Sequence, residues 1–160
     1  MPDNLHQWVQ RKLPRDSYSV LVDIMGHQGL DGKALLYMVD GLYAAHDQDA
    51  APLKWTSAPF NDHWTSSIFV SNDQVALESV IVDFARNEPR MTDVISDNID
   101  YYLHEAALAD NPPSGMLYAP HGDGQRLPSL GVHERWNNAQ EKKYSRNLGS
   151  GKGIELIIPI

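Results

Sequence analysis

Hydrophobic and polar positions change period several times along the chain, and each change predicts an element. Asn4 to Lys12 reads as a short helix, capped by Asn4 and closed before Pro14. In YSVLVDIMG, Tyr18, Leu21, Val22 and Met25 recur at helical spacing, and Gly26 is placed to end that helix in the left-handed conformation. LDGK reads as a turn. KALLYMV, residues 33–39, is nearly all apolar, the signature of a strand covered on both faces, and it stops at Asp40-Gly41.

Residues 41–65 keep no period but hold Trp55, Phe60 and Trp64, which predicts a loop pinned to the body by its aromatic rings. SSIFV, residues 66–70, reads as a second buried strand leading into a helix. There Ser71 and Gln74 have the spacing of a capping box, Asp73 sits in the electropositive first turn, and Pro89 marks the end. Val75, Val80, Ile81 and Phe84, with Ala76 and Leu77, give that helix a wide apolar face. A further stripe, Ile99, Tyr102, Leu103, Ala106 and Ala107, is stopped by Asn111-Pro-Pro.

Residues 111–153 are rich in glycine and read as a loop that wraps the body. IELIIPI, from 154, predicts a closing strand, with Pro159 at an edge or end. Strands alternating with helices place the chain in the α/β or α+β class: short buried strands in a mixed sheet layered with helices, plus the loop-rich segment. No internal repeat is present.

A length of 160 residues fits a single domain over 1–160. A net charge of −8 lacks the Lys and Arg concentration that phosphate contacts need, so neither nucleic acid nor an anionic membrane surface is expected as partner. With no cysteine, the chain has no disulfide, no thiolate zinc site and no iron–sulfur ligand of its own. No apolar run is long enough to cross a bilayer, and the first residues lack the basic and apolar regions of a secretion signal.

Three motifs call for chemistry. A calcium loop starting at Ala119 would need oxygen ligands at Ala119, His121 and Asp123, glycine at Gly124 and an acid at Leu130; only Asp123 and Gly124 fit, and a Gly-Asp-Gly tight turn accounts better for HGDG. Neither His104-Glu105 nor His133-Glu134 continues into the HExxH zinc motif, since Leu108 and Asn137 stand at its last position. His104 and Glu105 lie about 100° apart on their helix and both point away from its apolar stripe, as surface groups unless another segment covers them. A site assembled across loops from His46, His104, His121 or His133 stays open, with a divalent metal as its cofactor. LGSGKG departs from the phosphate-loop pattern at Arg146 and Gly153 and precedes a predicted strand, so it is rejected.

Position supplies a further candidate. In sheets with parallel strands, ligands collect beyond the carboxyl ends. Asp40 is at one such end, with His46 in the same loop, and Asp73 is at another beside a helix start. If the strands are neighbours, Asp40, His46 and Asp73 meet at a metal or proton-transfer site. His104, Glu105 and His133 are the groups that would fold over it. The plain alternative is that Asp40 and Asp73 are turn and cap residues.

Four stretches together resemble the carboxy-terminal part of exported proteins of the domain-of-unknown-function 362 family. They are GKALLYMVDGLY (Gly32–Tyr43), SSIFVSNDQVALESVIVDF (Ser66–Phe84), YLHEAALADNPPSG (Tyr102–Gly115) and SLGVHERWNN with KKYSRNLGSGKGIEL (Ser129–Leu156). The resemblance covers nearly the whole chain from about Tyr18. It implies iron–sulfur association in some relatives, and longer relatives with an amino-terminal half and an export signal. The expectation is that this chain is the carboxy-terminal portion, that any cluster belongs to another segment or a partner, and that self-association or pairing with an amino-terminal half covers an exposed sheet edge. Departures include Gln74 where relatives have proline, Ala119 and His121 where they have other residues before GDG, and Arg135 in place of the second histidine of HEHW, which weakens a two-histidine site there.

The expected function is thus metal- or redox-linked activity on an unidentified small molecule. The rival is a non-catalytic binding module, with Trp55, Trp64, Trp136, Asn137 and Asn138 forming a surface for sugars or protein. A third reading is structural, with the tail from Asn111 wrapping the sheet and Trp136 plugging the core.

Overall fold

A computed structural model describes residues 17–30, 33–47, 49–95 and 98–159. The expected helix Asn4–Lys12 lies outside them. The architecture is mixed: α1 (Val20–Met25), β1 (Tyr37–Gly41), β2 (Ser67–Ser71), α2 (Gln74–Arg86), a 3-10 turn (Pro89–Met91) and α3 (Tyr101–Ala107). Regular structure is sparse among the described residues, and the fold class expected from the pattern is the one observed.

Helix α2 is the centre of the molecule. Its cap is Asp73 rather than Ser71: Asp73 Oδ1 accepts from the Ala76 amide at 2.9 Å, while Ser71 Oγ accepts from the Asp73 amide at 3.0 Å. The aspartate satisfies a first-turn donor and adds negative charge at the positive end of the helix. Both faces are buried. Val75 and Val82 join Val22, Leu103, Ala106 and Tyr118 in one apolar cluster, while Val80, Phe84 and Ala85 join Trp55, Phe60, Met91, Tyr144 and Ile154 in another. A helix shared between two cores needs apolar residues on two sides, and Val82 and Ala85 extend the wide face expected from the sequence. Each fully buried large side chain contributes roughly 1.5–3 kcal/mol, so both clusters matter to a chain with so few backbone ladders.

The sheet differs from the expectation. β1 and β2 pair antiparallel, in register Tyr37↔Ser71 through Asp40↔Ile68 to Gly41↔Ser67, and no further strand joins them among the described residues. Neither strand is buried on both faces. Phe69 packs on the second cluster, whereas Met38, Ile68 and Val70 are exposed. Both strands therefore alternate in exposure, as a half-covered antiparallel pair does. Between them, residues 42–66 fold back through bridges Ala44↔Leu53 and Trp55↔His63. Trp55 and Phe60 pin this loop as expected, but Trp64 stays exposed against Tyr43.

Two terminators also differ. Gly26 closes α1 at φ −87°, on the right-handed side, and the closing strand from 154 does not form. Instead Asn147 takes the place of a strand neighbour: its Oδ1 accepts from the Leu156 amide at 2.8 Å and its Nδ2 donates to the Leu156 carbonyl at 3.2 Å. Residues 111–159 contain no helix or strand. They cross both clusters through Tyr118 and Leu127, then Tyr144 and Ile154.

Buried carboxylates hold this irregular chain. Glu88 accepts from Thr56 Oγ1, the Ser57 amide, Ser57 Oγ and the Arg90 amide. Burial opposes its charge, yet these donors outweigh burial and hold its carboxyl below the usual range. Asp83 accepts from the Trp136 amide at 2.9 Å and Tyr144 OH at 2.8 Å. Glu105 accepts from the Ser114 amide, Ser114 Oγ and Tyr118 OH. Each acid supplies acceptors that strands would otherwise provide.

Candidate metal centre

Three segments meet beside the middle of α2. Asp100 immediately precedes helix α3, and His104 lies one turn later, so a spacing of i, i+4 puts both on one side of the helix start. The third segment carries His133 and is fixed on both sides. The Leu130 amide donates to the Ala106 carbonyl at 3.0 Å and the Val132 amide to Asp73 Oδ2 at 2.9 Å; beyond the histidine, the Trp136 amide donates to Asp83. Glycine is required in this run: a Cβ on Gly131, at φ +152°, would lie 2.1 Å from Asp73 Oδ1.

The three side chains converge. One ligand atom from each of Asp100, His104 and His133 lies within 4.8 Å of the others. His133 Nε2 is 3.1 Å from His104 Nε2 and 3.5 Å from Asp100 Oδ2. Zn–N bonds of about 2.0–2.1 Å at a tetrahedral angle set ligand atoms about 3.3 Å apart, so both spacings suit a first-row divalent ion. The ring centroids are only 4.2 Å apart and the rings cross at 75°. A head-on N–H···N bond would add both ring radii to the nitrogen separation. At least one lone pair therefore points off the line between the two nitrogens.

The tautomer of His133 follows from its other neighbour. Ser79 Oγ donates its one hydrogen to the Val75 carbonyl at 2.7 Å. His133 Nδ1 lies 2.7 Å from the same oxygen, so Nδ1 carries the proton and Ser79 accepts it. In the neutral ring that leaves a lone pair on Nε2, facing the cluster. A ligating histidine is commonly held this way by a partner on its other nitrogen.

Asp100 carries further charge contacts. Arg135 binds it as a fork, Nε to Oδ2 at 2.9 Å and Nη2 to Oδ1 at 3.0 Å, and Arg86 Nη2 pairs with Oδ2 at 2.9 Å. Asp100 is fully buried. Burial works against its charge, but the Arg135 and Arg86 guanidiniums on its oxygens outweigh burial and hold its carboxyl far below the usual carboxylate range. Arg86 also reaches Asp83 Oδ1 at 3.2 Å, which bridges the two buried acids. For Asp83, burial is the larger effect and pushes its carboxyl up, against the bonds from Tyr144, Trp136 and Arg86.

The residues expected to form a site divide. His104 and His133 come together. Asp40, His46 and Asp73 do not. Ser71 lies three residues along β2 from Ile68, the register partner of Asp40, on the order of 10 Å at about 3.3 Å per residue, and Asp73 lies beyond it. The parallel-strand premise fails because the pair is antiparallel, which sends the two strand ends in opposite directions. Asp40 Oδ1 accepts from the Leu42 amide in a turn, His46 Nε2 lies 2.7 Å from the Arg90 carbonyl, and Asp73 is the cap of α2. Glu105 is not at the surface; residues 114–118 cover it and use its oxygens. Asp123 accepts from the Gln125 amide in a tight turn, with Gly122 and Gly124 both at φ +72°.

Asp100, Ser79 and Arg86 were missed. The Asp100/His104 spacing was readable, but an acid before a helix is ordinarily a cap. The tryptophans do not share one surface, because Trp55 is buried and Trp136 packs edge-on against Phe84 at 4.8 Å in the second cluster. Compared with protein-family models, curated proteins and solved structures, the chain finds no match.

Proposed function

We propose that this chain is a divalent-metal-binding domain of the domain-of-unknown-function 362 type, with His104, His133 and Asp100 as ligands and one coordination position open to a small molecule. The observation that carries the reading is His133. Ser79 holds its Nδ1–H, and its Nε2 meets another imidazole nitrogen at 3.1 Å and a carboxylate oxygen at 3.5 Å. Two imidazoles and a carboxylate suit zinc, cobalt or ferrous iron, and three protein ligands leave the opening that a reactive metal needs. The resemblance adds support. Ser79, His104 and His133 come from three different family-like stretches, and the second imidazole comes from α3 rather than from position 135.

Cobalt(II) titration into metal-free protein tests the reading. One equivalent should give visible bands of a mixed nitrogen and oxygen ligand set, lost in His133→Ala and in His104→Ala. Equal binding by wild type and both variants would remove the site.

A second reading rests on the two guanidiniums on Asp100. They already neutralise the carboxylate, as a purely structural ionic joint between α2, α3 and the C-terminal segment would require. That reading expects no stoichiometric metal.

A further inference from the structure

Arg135 and a metal ion would compete for one oxygen. Asp100 Oδ2 is the atom 3.5 Å from His133 Nε2, and it already accepts Arg135 Nε at 2.9 Å with Arg86 Nη2 at 2.9 Å beside it. The two guanidiniums on Asp100 differ in freedom. The Arg86 side chain is 22% exposed and also bound to Asp83, whereas the Arg135 side chain is 45% exposed. Both neighbours of Arg135 are held: the Glu134 side chain accepts from the Ile154 amide through Oε2, and the Trp136 amide donates to Asp83. Of the groups on Asp100, the Arg135 side chain is the more exposed.

We propose that metal loading displaces Arg135 from Asp100, and that the freed guanidinium takes up a carboxylate-bearing ligand bound at the metal's open position. The inference rests on the metal reading above and names its ligand class and its control. An Arg fork is matched to a carboxylate, which it binds through two parallel hydrogen bonds. Arg86 stays on Asp100 and keeps the buried acid paired, so the exchange does not leave an uncompensated charge in the interior. Arg135 then has two roles: it opposes the metal in the absence of ligand and assists it in the presence of ligand.

The test is cobalt(II) affinity of the full chain in perchlorate, acetate and phosphate buffers, for wild type, Arg135→Gln and Arg135→Lys. Wild type should bind cobalt about tenfold more tightly in acetate than in perchlorate, the size of effect seen when a group behind a metal ligand changes. R135Q should bind about tenfold more tightly than wild type in perchlorate and lose the acetate response. R135K keeps the charge without the fork and should show a weakened response. An enhancement by phosphate equal to that by acetate would overturn the carboxylate assignment. Cobalt bound with equal affinity in all three anions, and unchanged in R135Q, would overturn the coupling while leaving the metal site standing. Absence of binding in wild type and R135Q alike would remove the metal reading and this inference together. Should R135Q fail to fold, the wild-type anion series decides.

Discussion

The strand pair and the C-terminal segment use opposite means of order. β1 and β2 have regular backbone pairing, yet Met38, Ile68 and Val70 face solvent. Residues 111–159 have no helix or strand, yet they place Tyr118, Leu127, Tyr144 and Ile154 in the two cores and bring His133 against α2 and α3. What orders the irregular segment is side-chain acceptors: Asp73, Asp83, Asp100, Glu105 and Glu134 each bind a group in it. Backbone regularity and functional organisation are therefore separate properties in this chain. The strand pair shows no ligand cluster among the described residues, whereas the irregular segment carries His133 to Asp100 and His104 of α3.

Substitution at the ionic joint is the strongest way to break this contrast. Asp100→Ala leaves Arg86 and Arg135 without their shared partner and should cost about 3–5 kcal/mol in chemical denaturation. The pH dependence has the same origin. Because the folded carboxyl of Asp100 is depressed, its stabilisation is complete above its unfolded value of about 3.9 and is lost as the pH falls below that. Glu88 acts with the same sign. Asp83, raised by burial, acts oppositely: its contribution is lost as the pH rises through its folded value, so it softens the acid limb. Unfolding curves of Asp100→Asn should therefore be flatter than wild type below about pH 4; an unchanged acid limb would contradict the joint.

A smaller effect sharpens the comparison. Tyr144→Phe keeps the ring in its core and removes only the bond to Asp83 Oδ2, at a cost of about 0.5–1.5 kcal/mol, or up to twice that for a charged acceptor. The smallest belongs to the strands. Ile68→Thr, on the exposed face, should change stability by no more than about 0.5 kcal/mol. A loss as large as that of Asp100→Ala would mean the face is covered in the folded protein and would undo the contrast.

The same division governs how much the sequence revealed. Helices α1, α2 and α3 were legible because 3.6-residue periodicity and breakers are local properties, and the apolar stripe of α3 packs as expected. Two of the three expected strands form, the first at Tyr37–Gly41 rather than 33–39, but partners and direction were not legible, since pairing depends on segments distant in the chain. That error carried Asp40, His46 and Asp73 into a common site that the antiparallel register takes apart. His104 and His133 were readable as residue types. Their meeting was not, because it depends on Asp73, Asp83 and Ala106 holding residues 130–136 from outside that stretch.

Side-chain nitrogen NMR of the metal-free protein, before and after one equivalent of zinc, tests the central claim most directly. The account predicts that His133 shows a protonated Nδ1 throughout, and that the Nε2 resonances of His104 and His133 shift together at one equivalent while those of His27, His46, His63 and His121 stay in place. A shift confined to those four exposed histidines, or none at all, would contradict it.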